Sequence, residues 1–241
     1  SWGSALNVRL DPENPWYRTY MQFADALVRK ADGRYPVSHG AELGITDLQA
    51  VLRGHNEGLM DLIDAPEKTA QLLWNLGEMF VAFTRAVWER IPLYQGGYYD
   101  AQYNLWAPGP IVRMQEDAIA SFSPKLYREL VQPVDRMIAA GFENSFIHLH
   151  ATSMIMLDAF LEIEEIRCFE INIEPFSIPA KEMIPYFKTV QEAGRPLIVR
   201  GTPTPEELAL LLDELDPAGL YLQLLVQDTA QIAAYRPILS M

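Results

Sequence analysis

From Ile111 onward the sequence alternates short runs rich in Ile, Val, Leu and Phe with stretches of helical length, and this alternation constrains the fold more than any other feature. Ile111–Glu116, Ser145–His150, Cys168–Ile173, Leu197–Arg200 and Gly219–Leu224 read as strands. The stretches Ser123–Ala140, Met154–Ile163, Ala180–Ala193 and Thr204–Leu215 read as helices, with Gly141 and Gly194 as stops. Strand–helix units of this length predict right-handed crossovers and parallel strands adjacent in chain order. Their short, even spacing favours a TIM-like (β/α) barrel over an open sheet.

The first half is richer in helices and loops. Asn14-Pro15 reads as the start of a helix that runs to Lys30, because proline fits the first turn. Tyr35–Ser38 reads as a short strand. Thr46-Asp47 opens a helix that Gly54 closes. A long helix runs from Asp64-Ala65-Pro66-Glu67 to Arg90, with Leu72, Leu76, Phe80 and Phe83 at helical spacing. Gln95–Asp100 and Trp106–Pro110 read as loops, and Asp228 as the cap of a last helix. The 241 residues are 49% hydrophobic and contain no repeat or linker-like stretch, so a single domain over 1–241 is expected.

The formal charge is −13, without any block of Lys and Arg, which argues against nucleic acid and anionic membranes as partners. No apolar run approaches the roughly 18–20 residues needed to span a bilayer, and no secretory signal pattern opens the sequence. Cys168 is the single cysteine, so an intrachain disulfide is impossible. That fits a reducing, cytoplasmic setting. Cys168 itself reads as a small core residue near the start of its strand.

Side chains alternate across a strand. In Cys168–Glu174 the residues Phe169, Ile171 and Ile173 must face helices, which turns Glu170, Asn172 and Glu174 to the other side. The same parity groups Arg113, Gln115 and Asp117, pairs His148 with His150, sets Arg200 opposite Val199, and sets Tyr221 and Gln223 opposite leucines. A purely structural barrel fills its lumen with Val, Ile and Leu, because buried charge is costly unless paired. Polar residues on one face of five strands therefore point to a site for a polar ligand. His148-Leu149-His150 is the sharpest local signal. Two imidazoles at i and i+2 on one strand can chelate one metal, zinc above all, with a third ligand from Asp117, Glu170 or Glu174. Their alternative is a hydrogen-bonded core histidine beside one at the strand end. Gly96-Gly97 lacks the spacing of a phosphate loop.

Several stretches together resemble the uroporphyrinogen decarboxylase and cobalamin-dependent methyltransferase superfamily. They are Asp61-Leu62-Ile63-Asp64-Ala65-Pro66-Glu67; Gln115-Glu116-Asp117 followed by Ser123-Pro124-Lys125-Leu126-Tyr127 and Val131-Gln132-Pro133; Ile147-His148-Leu149-His150; and Gly201-Thr202-Pro203 with Thr204-Pro205-Glu206-Glu207-Leu208. Their order spans residues 12–238. The resemblance implies a TIM-like barrel with a cleft at the strand C-termini, here incomplete at its N-terminal side. An open edge of that kind is covered by residues 1–12 or by a second copy, which makes a homodimer an expected assembly. Two family features are absent: the decarboxylase's Arg-Gln-Ala-Gly-Arg segment, and the cysteines of the methyltransferases' zinc site, where His150 stands in the place of the first.

The implied activity is methyltransferase-like. A methyl group passes between a small acidic substrate and a corrinoid protein, with zinc at His148 and His150. In that reading Asp117 or Glu170 is the third ligand or general base, and Arg113 and Arg200 hold a substrate carboxylate. Catalytic roles then fall to Asp117, Glu170 and His148, and substrate contacts to Arg113, Gln115, Asn172, Arg200, Tyr221 and Gln223. The alternatives are a metal-independent decarboxylase of a carboxylated, porphyrinogen-like substrate, or a non-catalytic protein that binds a small acid or a corrinoid.

Overall fold

A computed structural model describes residues 2–40, 42–174 and 177–239. The fold is α/β, with a five-stranded sheet whose strands follow chain order and helices between successive strands. The chain divides into two compact units, residues 1–146 and 147–241.

The first unit opens with α1 (Trp2–Ala5) and α2 (Pro15–Ala31). The Asn14 side chain accepts the Trp16 N–H at 2.9 Å, and Asp32 ends α2 in the left-handed region. Residues 35–38 form no strand, contrary to the sequence reading. Pro36 has no N–H to give to a ladder, and the Ser38 hydroxyl instead accepts the Ala101 N–H at 3.0 Å. Helix α3 (Ile45–Arg53) ends at Gly54, whose φ of 89° turns the chain straight into α4 (His55–Asp64). The sequence reading took Gly54 as a stop and missed this second helix. α5 (Pro66–Trp88) buries Leu72, Leu73, Leu76 and Phe80. The stretch expected as loop carries a small antiparallel hairpin, β1 (Tyr98–Asp100) with β2 (Leu105–Ala107), before β3 (Ile111–Gln115).

The expected helix after Ser123 is broken into α6 (Pro124–Leu126), a wide turn over Tyr127–Val131 and α7 (Gln132–Ala140). Pro133 explains the break. Its ring crowds the carbonyl four residues back, and the Gln132 N–H reaches Tyr127 O, five residues back, instead. β4 (Asn144–Leu149) follows, and His150 lies just past its end.

In the second unit a tight helical turn over Ala151–Met156 leads into α8 (Leu157–Leu161), in place of one helix over 154–163. β5 (Cys168–Ile173), α9 (Ala180–Glu192), β6 (Leu197–Gly201), α10 (Pro205–Glu214), β7 (Leu220–Leu224) and α11 (Thr229–Leu239) then alternate as the sequence reading expects. β5/β6 and β6/β7 pair in parallel, with Asn172, Arg200 and Gln223 abreast and Glu170, Ile198 and Tyr221 abreast. Phe169, Ile171, Leu197 and Val199 take the other face and are buried with Phe187, Leu208 and Leu211. At the C-terminal end of β6 a side chain at Gly201 would meet Ile173 O at 2.2 Å, so the two strands close on glycine there. Among the described residues, no helix is long and apolar enough to cross a membrane.

Candidate metal centre

His148 points from β4 to the face that carries Glu170 on β5. Its Nδ1 bonds to Glu170 Oε2, and the Glu170 side chain has no solvent contact. His150, one residue past the strand, repeats the arrangement at the rim. Its Nδ1 lies 2.5 Å from Glu174 Oε1, and both side chains are about one-third exposed at 30% and 31%. An ionised carboxylate only accepts, so each Nδ1 carries the ring proton. The two Nε2 atoms approach to 3.3 Å, with the rings at 77° to one another. Imidazole nitrogens at that separation can share a proton or face one metal ion.

The period-two pattern of β5 produces this geometry. Glu170, Asn172 and Glu174 share a face because Phe169, Ile171 and Ile173 claim the apolar side. Next to Asn172 in the sheet stands Arg200, half-buried, and beyond it Gln223, buried. Tyr221 is half-buried beside Ile198. Every site residue that the sequence reading places between His148 and Gln223 thus lies on one polar face or at its rim. Cys168 begins the same strand, and burial pushes its thiol up to about 12, with the Glu170 charge adding to the effect. A thiol held that high is no nucleophile.

Arg113, Gln115 and Asp117 belong to the first unit. Arg113 Nη2 donates to Gln115 Oε1 at 2.9 Å, and Gln115 Nε2 donates to Asp117 Oδ2 at 3.2 Å. Asp117 is not on the strand but opens the turn after it. Arg113 also donates to Gln102 Oε1 at 2.5 Å and to the main-chain oxygen of Glu42 at 2.9 Å. This brings in a pair that the sequence reading missed, His39 and Glu42, whose side chains are 6% and 13% exposed. Burial pushes the Glu42 carboxyl up to about 8 against the opposing pull of Thr84 and Arg113, and it lowers the pKa of His39. The His39 ring stands among Tyr20, Phe83 and Trp88. Residues 36–43 have neither periodicity nor motif, so no sequence signal marks the pair.

Comparison with known protein families and with curated proteins finds no match to this chain.

Proposed function

We propose that the chain is a metal-dependent enzyme on a TIM-like barrel, similar to the uroporphyrinogen decarboxylase and cobalamin-dependent methyltransferase superfamily, which moves a methyl group between a small acidic substrate and a corrinoid protein. The observation that carries the metal assignment is the 3.3 Å approach of two imidazole Nε2 atoms whose Nδ1 protons are both committed to carboxylates. Two nitrogens bound to one tetrahedral zinc at ~2.0–2.1 Å stand about 3.3–3.4 Å apart. Carboxylates behind both histidines fix the tautomer and raise the basicity of the ligating nitrogens, as outer-shell partners of zinc histidines do. The proposed third ligand is a carboxylate, which leaves a fourth position for substrate or water.

A zinc ion at this place supplies Lewis-acid polarisation of a substrate atom. The chain's own residues do the rest. Glu170 and Glu174 hold the imidazoles in one orientation. The Arg200 guanidinium offers a planar fork to a substrate carboxylate.

The test is elemental analysis of the purified chain after growth with added zinc. The expected result is about one zinc per wild-type chain and almost none in His148→Ala/His150→Ala. Equal, near-zero metal in wild type and in the double variant overturns the metal assignment. Activity then falls to the metal-independent decarboxylase reading.

A further inference from the structure

The polar face of β5 holds two acceptors that the two histidines do not use. Glu170 spends Oε2 on His148, while its Oε1 is buried and meets no donor among the described residues. Asn172, two residues further along the same face, likewise has a buried Oδ1 without a donor. A buried acceptor left without a donor is costly, and native structures keep few of them without a reason. Two on one strand face, about 7 Å apart by strand geometry, form a pattern. Beside Asn172, across the parallel pairing, stands the Arg200 cation. Asn172 and Arg200 are only half-buried, so this end of the face is open to solvent.

We propose that Asn172 and Arg200 form a shelf for a small carboxylic acid that also carries a hydroxyl or ammonium donor, and that the shelf rejects the same acid without it. The inference rests on the reading of this face as a small-acid site. Arg200 takes the carboxylate through its fork. Asn172 Oδ1 accepts from the donor next to that carboxylate. A ligand without that donor still meets the arginine but leaves the Asn172 oxygen unsatisfied. Sites built around such acceptors discriminate strongly against the analogue lacking the donor. The substrate class is therefore hydroxy or amino acids and not simple carboxylic acids.

Isothermal titration of the full chain with malate, aspartate and succinate tests this. The three share a four-carbon diacid frame and differ in a hydroxyl, an ammonium or neither. In wild type, malate or aspartate is expected to bind at least about tenfold tighter than succinate, and the tighter of the two identifies the donor. Asn172→Leu, similar in volume and without an acceptor, should bring the preferred ligand down toward succinate while its zinc content stays that of wild type. Asn172→Gln, which keeps a neutral amide acceptor, should retain the preference and covers the case in which the leucine variant fails to fold. Succinate binding as tightly as the other two overturns the proposal, as does no binding by any of the three, or an undiminished preference in a folded Asn172→Leu. Zinc content and ligand preference are separate readouts, so a chain that takes up no zinc but still prefers malate or aspartate rejects the metal assignment alone.

Discussion

Glu116 and Asp135, both in the first unit, are 2% and 0% exposed. Glu116 accepts the Ile45 and Thr46 N–H groups at 2.9 Å each, and the Thr46 hydroxyl as well. It thereby caps the start of α3 from seventy residues away. Tyr127 OH donates to Asp135 Oδ2 at 2.7 Å. Burial raises both carboxyls, Asp135 to about 7 against the lowering effect of its hydrogen bonds to Tyr127 and Glu116, and the Asp135 charge adds to the rise at Glu116. A folded-state value raised above the unfolded one contributes stability that is present at low pH and is lost as pH rises through the folded value. Between about pH 4 and pH 7 the Asp135 carboxyl alone should therefore lower stability by up to ~1.4 kcal/mol per pH unit as pH increases. Asp135→Asn keeps the residue neutral and should remove the Asp135 share of the slope, leaving that of buried Glu116. Urea unfolding at several pH values measures it, and an unchanged slope in the variant would refute the raised Asp135 carboxyl.

At the scale of elements, the start of α3 depends on a close approach. A Cβ at Gly44 would stand 1.7 Å from Gln115 O, at the end of β3. The obstacle is main chain, so either the helix start or the strand end has to move. Gly44→Ala should cost about 1–3 kcal/mol or more, read as a fall in melting temperature. A variant as stable as wild type would show that the two elements are not locked there. Legibility in the sequence follows the same physics. β5 runs over Cys168–Ile173 as expected because three large apolar residues alternate with polar ones and leave a single orientation. The helix stop at Gly194 was equally legible. The hairpin over 98–107 and the α3–α4 corner were not, because each is decided by a left-handed residue, Asn104 with φ 55° and Gly54 with φ 89°, and not by periodicity. The two histidines could be placed on one face from spacing alone. Glu170 and Glu174 were legible on the same face as candidate ligands, but that they hold the Nδ1 atoms instead depends on side-chain geometry that a single sequence does not display. His39 and Glu42 come together through a loop that lacks any repeating pattern.

Over the whole molecule, a formal charge of −13 spread over 241 residues means net self-repulsion. Screening shortens its reach from about 30 Å at 0.01 M salt to about 8 Å at 0.15 M. The melting temperature should therefore rise between those two salt concentrations, and scanning calorimetry at both would show it; a fall would mean that local ion pairs such as Arg53 with Asp61 outweigh the net charge. The same composition carries a second consequence when combined with the paired histidines. If the proposed site takes a metal, its two nitrogen donors do not select zinc by strength, because affinity at such sites climbs from manganese to copper and is higher for copper than for zinc. The ion recovered from a purified sample would then record the metal supply of the host cell and its growth medium, so expression in hosts with different copper and zinc supplies would yield different occupants from one unchanged pair of imidazoles.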